Sequence, residues 1–224
     1  SETPKIEMNQ LVEAVPKVVQ RGGFRLVKAH GLEEISLPPR LSDFPQLRYM
    51  GSKYRLLPWI YEVLRGLDFE SAADPFVGSG CVAYLMKCMG KRVIASDFLR
   101  FSSTFASATI ENSHHHLDGP AIRKLLAPAR NNPDFIERTF GGIFFDRDDL
   151  RFLDRICHNI EKLDEPNQQA LARAALMRSC LKKQPRGVFT ISSGRYDDGR
   201  RDLRLKVEEH FLEQIEKFNN VVFD

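Results

Sequence analysis

The sequence has few of the features that mark secreted, membrane or metal-binding proteins. Its four cysteines form no Cys-x-x-Cys pair and no zinc-type spacing, which favours reduced thiols inside a cell. No apolar run approaches the length that crosses a bilayer, and the N-terminal residues lack a signal-peptide layout. The consecutive histidines at 114–116 carry no ligand geometry. We therefore expect a cytoplasmic protein with no membrane partner and no metal site.

A large excess of one charge is also absent, since the formal net charge is only +3. Overall charge therefore does not identify a nucleic-acid partner. The basic residues are nevertheless concentrated, because residues 171–206 hold ten Arg and Lys against three Asp, a local net charge of +7. This segment is the first candidate for contact with an anionic partner.

The hydrophobic pattern predicts one sizeable core built from alternating helices and strands. Helix-like spacing occurs at residues 8–20, 54–67, 81–89, 104–112, 150–163, 168–181 and 207–218. Strand-like segments occur at residues 24–27, 72–76, 92–96 and 221–223. The strand, helix and strand between residues 72 and 96 predict a parallel βαβ unit.

The loop that joins the first strand of this unit to its helix is Asp74-Pro-Phe-Val-Gly-Ser-Gly80. Its two glycines allow a tight turn that brings backbone N–H groups close to a ligand at the helix N-terminus. The next strand ends at Asp97, whose carboxylate can accept hydrogen bonds from both ribose hydroxyls of an adenosine. A nucleoside ligand is implied. Two alternatives remain at this point, a nicotinamide dinucleotide and a tight turn that binds nothing.

A second motif precedes the βαβ unit. Residues 48–57 read Arg-Tyr-Met-Gly-Ser-Lys-Tyr-Arg-Leu-Leu, which is an aromatic, a small pair, a lysine and the start of a predicted helix. Together with the glycine turn and Asp97, this order resembles the Dam-like family of adenine-specific DNA methyltransferases. The resemblance covers residues 47–224. It implies an α/β class, a Rossmann-like S-adenosylmethionine-dependent methyltransferase fold with an incomplete sheet in this chain and a mainly helical target-recognition insertion.

The cofactor that the resemblance implies is S-adenosylmethionine. The residues that it assigns to the cofactor are Tyr49, Lys53, Asp74, Phe76, Gly78, Gly80, Asp97 and Phe98. The methionine moiety is a zwitterion, so Lys53 can face its carboxylate and Asp74 its ammonium group. A pyrophosphate would gain nothing from Asp74 beside the glycine turn, which disfavours the nicotinamide alternative.

Residues 170–206 resemble the recognition region of the same family, with Arg186-Gly-Val-Phe189 similar to a loop that approaches the target base. Basic side chains there can neutralise the phosphates of double-stranded DNA, and an arginine can read guanine in the major groove. The candidate DNA-binding residues are Lys182, Lys183, Arg186, Arg195, Arg200, Arg201 and Arg204. For any one of them, an ordinary solvated position is an equal alternative.

The catalytic motif of such enzymes is missing from the sequence. The family uses an Asp-Pro-Pro-Tyr type tetrapeptide to hold the exocyclic amine of a flipped-out adenine. The only adjacent prolines, Pro38 and Pro39, have no acid or amide before them and no aromatic residue after them. We therefore expect no catalytic residue in this chain. A second polypeptide, or a missing C-terminal part, would carry the tetrapeptide and the remaining strands.

The resemblance divides the chain into four segments. These are an N-terminal extension at 1–47, the S-adenosylmethionine-binding portion at 48–113, a helical target-recognition region at 114–218, and the start of a further strand at 219–224. Three functions stay open: part of a DNA adenine methyltransferase of the restriction-modification type, a non-catalytic DNA-binding or regulatory module that retains the pocket, and a nicotinamide-dependent oxidoreductase.

Overall fold

The computed structural model describes residues 36–129, 133–187, 189 and 199–224, so the helix predicted at 8–20 and the strand predicted at 24–27 lie outside the described residues. Within these ranges there are two strands, β1 (Ser71–Asp74) and β2 (Arg92–Ala95). The α-helices of the described part are α1 (Leu57–Arg65), α2 (Cys81–Cys88), α3 (Arg100–Ala106), α4 (Gly119–Leu126), α5 (Phe135–Phe140), α6 (Arg147–Ile160), α7 (Pro166–Lys182) and α8 (Val207–Asn220). Short 3₁₀ turns cover Pro39–Asp43, Tyr54–Leu56, Pro185–Gly187 and Arg201–Leu203.

The two strands form a parallel pair joined by α2, which confirms the predicted βαβ unit. Ser71 is paired with Arg92 and Asp74 with Ala95. Along both strands exposed and half-buried residues alternate, and the side chain of Ile94 is 63% exposed. Parallel strands are normally covered on both faces. Among the described residues, helices therefore cover only one face of this sheet.

The segment after β2 differs from the sequence prediction. A helix was expected at 104–112, whereas α3 begins at Arg100 and gives way to a π-helical turn at Ser107–Glu111. The earlier start follows from local hydrogen bonds, because Asp97 accepts the N–H of Leu99 and the carbonyl of Leu99 then accepts the N–H of Ser103. Ser and Thr are weak helix formers, so the polar start of α3 was not recognised as helical.

One hydrophobic core connects the βαβ unit to the C-terminal helices. It includes the fully buried rings of Tyr84, Phe105, Phe211 and Phe218. Helices α7 and α8 pack along each other, and α7 also packs against α3 and the π-helical turn. The described end of the predicted N-terminal extension joins this core through Phe44, whose ring lies 5.1 Å from that of Tyr84. The helices of the recognition region therefore support the cofactor region directly.

The chain end differs from the prediction of a strand at 221–223. Val221 and Val222 are buried, but the described residues contain no strand there. Phe223 instead packs its ring edge-on against Tyr84 and lies under the ammonium group of Lys87. A strand requires a hydrogen-bonded neighbour, and none of the described residues pairs with this segment. The buried valines agree with the apolar pattern, and a strand that pairs with polypeptide outside the described residues stays a prediction.

In the part of the chain that the structure describes, no helix combines the length and the apolar character needed to span a bilayer.

Candidate functional site

The glycine turn between β1 and α2 has the backbone conformation that the sequence predicted. Gly78 and Gly80 have φ angles of +52° and +80°, in the left-handed region that other residues rarely adopt. The turn is closed by a hydrogen bond from the N–H of Gly80 to the carbonyl of Val77, at 2.8 Å. It is also tied to β2, because the N–H of Val77 donates to the carbonyl of Ser96 at 3.0 Å.

Asp97 follows β2 and bridges the two loops at the strand ends. One carboxylate oxygen accepts the N–H of Gly78 and the other accepts the N–H of Leu99, each at 2.8 Å. These two backbone hydrogen bonds, led by that from Leu99, lower the pKa of Asp97 below its usual value. A carboxylate has about four acceptor positions, so Asp97 can still accept hydrogen bonds from two hydroxyl groups.

The second motif forms a tight turn beside the glycine turn. The N–H of Ser52 donates to the carbonyl of Tyr49 at 3.1 Å, and Gly51 has a φ of +80°. The Ser52 hydroxyl lies 3.1 Å from that of Ser79 and so joins the two turns. The ring of Tyr49 lies against Gly78, where a side-chain carbon would come within 3.3 Å of the ring. We call Tyr49, Gly51 and Ser52 the shared wall, because these three residues line two adjoining cavities.

The first cavity, the cofactor cavity, lies at the strand ends and has a volume of about 760 Å³. That volume is within the range of sites for small-molecule ligands. It is lined by seven of the eight predicted cofactor residues: Tyr49, Lys53, Asp74, Phe76, Gly78, Asp97 and Phe98. Phe76 and Phe98 are 83% and 92% exposed, so their rings are available to a ligand. The eighth residue, Gly80, does not line the cavity and is instead the residue that immediately precedes α2.

The charged groups of the cofactor cavity have partners that leave them accessible. The ammonium group of Lys53 donates to the carbonyl of Gly51 at 2.8 Å, and Asp74 accepts the N–H of Phe76 at 3.3 Å. No ion pair involves either residue among the described residues, so each can still face an opposite charge. A cation and an anion on one cavity suit a zwitterionic ligand.

A second cavity, the basic cleft, adjoins the cofactor cavity and has a volume of about 960 Å³. The two cavities share Tyr49, Gly51 and Ser52 as lining residues. The basic side chains that line the cleft are Arg48, Arg55, Arg178, Lys182 and Arg200, with Asp202 as the acidic one. Sequence reasoning selected only Lys182 and Arg200 of this set. The other three lie near the cofactor motif or inside α7, and no local pattern in the sequence indicates that they meet.

The remaining predicted DNA-binding residues are in varied environments. Arg201 pairs with Glu213 at 3.4 Å, and Lys182 with Asp202 and Glu213 at 3.3 and 3.5 Å. Arg204 is exposed. Arg195 and the side chain of Arg186 lie outside the described part of the chain. DNA contact by these residues remains a prediction.

Lys183 requires a correction. Only 3% of this residue is exposed, and its ammonium group lies 3.0 Å from Asp149 and donates to the carbonyl of Leu205 at 2.6 Å. Asp149 also accepts the N–H of Val207 at 2.8 Å, so the pair joins α6, the end of α7 and the start of α8. Charge counting does not distinguish a buried lysine from an exposed one. Lys183 is a structural cation and not a surface contact for DNA.

The buried pair of Lys183 and Asp149 predicts a loss of stability in the Lys183→Ala variant. Removing one partner of a buried ion pair leaves the other charge uncompensated, so we expect the free energy of unfolding to fall by about 3 kcal/mol or more. Urea unfolding measures the change. The matched control is Arg204→Ala, an exposed position expected to change stability by less than about 0.5 kcal/mol. Equal stability of the two variants would contradict the structural role of Lys183.

The fold and the site together define an α/β protein with a cavity at the carboxyl ends of parallel strands, the position at which such folds bind nucleoside-type ligands. Residues 49–223 match the family of D12 class N6 adenine-specific DNA methyltransferases, and the chain belongs to this family. Enzymes of this class use S-adenosylmethionine as methyl donor. The resemblance found in the sequence is thereby confirmed.

One curated relative shows what the chain is similar to. This is the type II methyltransferase M2.HphI of Haemophilus parahaemolyticus, which is 30% identical over 195 residues. The match covers 81% of this chain and 57% of the relative, so the chain spans little more than half of that protein's length. No solved structure matches the chain.

Proposed function

We propose that this chain binds S-adenosylmethionine in the cofactor cavity and double-stranded DNA in the basic cleft. It would act as part of a site-specific methyltransferase that modifies the exocyclic amino group of adenine. The observation that carries the proposal is the shared wall. A cavity suited to a zwitterionic nucleoside and a cleft lined by cations meet at Tyr49, Gly51 and Ser52. A methyl donor in the cavity and a DNA strand in the cleft would therefore lie next to each other.

The residues that line the cofactor cavity suit S-adenosylmethionine. Asp97 can accept hydrogen bonds from the ribose hydroxyls, because each of its oxygens uses one acceptor position for a backbone N–H. Lys53 would face the carboxylate of the methionine end and Asp74 its ammonium group. Phe76 and Phe98 offer exposed rings for the adenine and the apolar parts of the cofactor. Gly78 has no side chain, so the ligand could approach the backbone of the glycine turn.

When bound, S-adenosylmethionine would supply an electrophilic methyl group on a positively charged sulfur, with the exocyclic amine of adenine as the acceptor. The residues of this chain would bind the two reactants and orient them toward each other. We propose that the acceptors for the amine, an Asp-Pro-Pro-Tyr type tetrapeptide, come from polypeptide outside these 224 residues. A second chain or further residues of the same one could supply them. The exposed sheet face at Ile94 supports this, because additional strands and helices would cover it.

A reconstitution experiment tests the proposed function. The chain is expressed alone and together with a polypeptide that carries the tetrapeptide, and transfer of labelled methyl groups to duplex DNA is measured. We expect DNA binding without transfer from the chain alone, and transfer from the combination. An Asp97→Ala variant in the same combination should lose the transfer. Robust transfer by the chain alone would contradict the proposal, and binding without transfer in every combination would favour the non-catalytic DNA-binding module.

A further inference from the structure

Arg178 lies in the basic cleft with its guanidinium group held in place. Its Nε donates to the carbonyl of Gln46 at 3.2 Å, and one Nη donates to the side-chain oxygen of Gln214. The residue is half-buried and stands near the end of α7. Both acceptors are neutral, so they orient the guanidinium group without compensating its charge.

The charge of Arg178 has no carboxylate partner within 4.0 Å in the described part of the chain. The acidic residues on this side, Asp202 and Glu213, pair with Lys182. Burial lowers the pKa of Arg178 from its usual value, but an arginine stays protonated at neutral pH. Asp202 acts on the charge of Arg178 from a distance but forms no ion pair with it within 4.0 Å. A partly desolvated cation without a directly bound counter-ion is unfavourable, and an anion that enters the cleft would relieve this cost. Arginine presents five N–H donors, and the two described hydrogen bonds leave others for such an anion.

Arg55 lines the same cleft, although it is more than 120 positions before Arg178 in the sequence. It follows the shared wall, in the turn Tyr54–Leu56 that leads into α1, and its side chain is exposed. Over the described ranges it too lacks a carboxylate within 4.0 Å. The cleft thus has one fixed and one exposed arginine whose charges are not compensated by ion pairs.

We propose that Arg178 and Arg55 bind backbone phosphates of the target DNA strand in the basic cleft. This inference rests on the proposed function and names the residues that position the DNA beside the shared wall. Phosphate is the anion that suits them, because a guanidinium group binds its oxygens through two parallel hydrogen bonds. Phosphates anchored here would place the adjoining nucleotide at the shared wall, where the basic cleft meets the cofactor cavity.

The experiment measures the affinity of the full chain for duplex DNA over a tenfold range of salt concentration. Each phosphate contact contributes about 0.9 to the slope of log affinity against log salt. We expect Arg178→Gln and Arg55→Gln each to reduce that slope by about 1, and to weaken binding to all DNA sequences alike. The loss relative to wild type should therefore be about tenfold larger at the lowest salt concentration than at the highest.

The matched control is Arg173→Gln, five residues earlier in α7. Arg173 pairs with Glu161 at 2.5 Å and does not line the cleft, so its replacement should leave the slope unchanged. Binding of S-adenosylmethionine by each variant verifies that the fold is intact. If Arg178→Gln does not bind S-adenosylmethionine, its fold is not intact. The exposed Arg55→Gln and the charge-retaining Arg178→Lys then test the phosphate contacts. Arg178→Lys should bind S-adenosylmethionine and keep the wild-type slope.

The outcomes separate this inference from the function on which it rests. If the wild-type chain binds DNA with a steep salt dependence, and Arg55→Gln and Arg178→Gln have the same slope as the wild type, the proposed phosphate contacts are wrong. The proposed function would still stand. A wild-type chain whose DNA binding is absent or independent of salt would overturn the proposed function itself.

Discussion

Replacing Asp97 by alanine is expected to weaken the binding of S-adenosylmethionine by about a hundredfold, because charge-assisted hydrogen bonds to two ribose hydroxyls are lost together. The carboxylate is well prepared for this role. Two backbone N–H groups fix its orientation and lower its pKa, so it is ionised throughout the neutral range. Calorimetric titration of the variant and the wild type measures the difference.

The Asp97→Asn variant separates charge from shape. Its amide oxygen can accept one backbone N–H, but its NH₂ group would face a second N–H donor. We therefore expect an affinity between those of the alanine variant and the wild type. Asp164→Ala, at an exposed position paired with Lys124, is the control and should bind the cofactor normally. Wild-type affinity in Asp97→Ala would show that the ligand does not contact this carboxylate.

The Gly78→Ala variant is expected to lose about tenfold in cofactor affinity and about 1 kcal/mol in stability, since alanine is disfavoured at positive φ. The added carbon would lie 3.3 Å from Cε1 of Tyr49, so the ring must shift away from its present position. That shift would move the shared wall and narrow the space for the ligand. Titration with S-adenosylmethionine and urea unfolding measure the two effects separately.

Gly90 provides a control for the backbone effect. It has a φ of +73°, and an added carbon there would meet nothing within 4 Å. Gly90→Ala should therefore lose a similar amount of stability and bind the cofactor with unchanged affinity. If the two variants bound the cofactor equally, the close approach of Tyr49 to Gly78 would have no functional role.

The βαβ unit could be predicted from sequence because its signals are local. The glycines of the turn, the carboxylate of Asp97 and the apolar strands lie within about 30 consecutive residues, and each has a direct conformational meaning. The structure confirms the strands and places seven of the eight predicted cofactor residues on one cavity. Cofactor binding by these residues stays a prediction.

The basic cleft could not be predicted in the same way, because it depends on contacts between distant segments. The hydrogen bond from Arg178 to Gln46 joins residues that are 132 positions apart. The same limitation explains Lys183, which counts as a surface charge in the sequence but pairs with a buried aspartate from another helix. Charge density indicated the right region, while burial and pairing decide which cations remain available to DNA.

We propose that Tyr49, Lys53, Asp74 and Asp97 converge on one sulfonium nucleoside. Calorimetric titration of the chain with S-adenosylmethionine, and separately with NAD, tests this convergence most directly. We expect one saturable S-adenosylmethionine site per chain, competition by S-adenosylhomocysteine, and no heat from NAD. Absence of S-adenosylmethionine binding by the folded chain, or tighter binding of NAD, would contradict it.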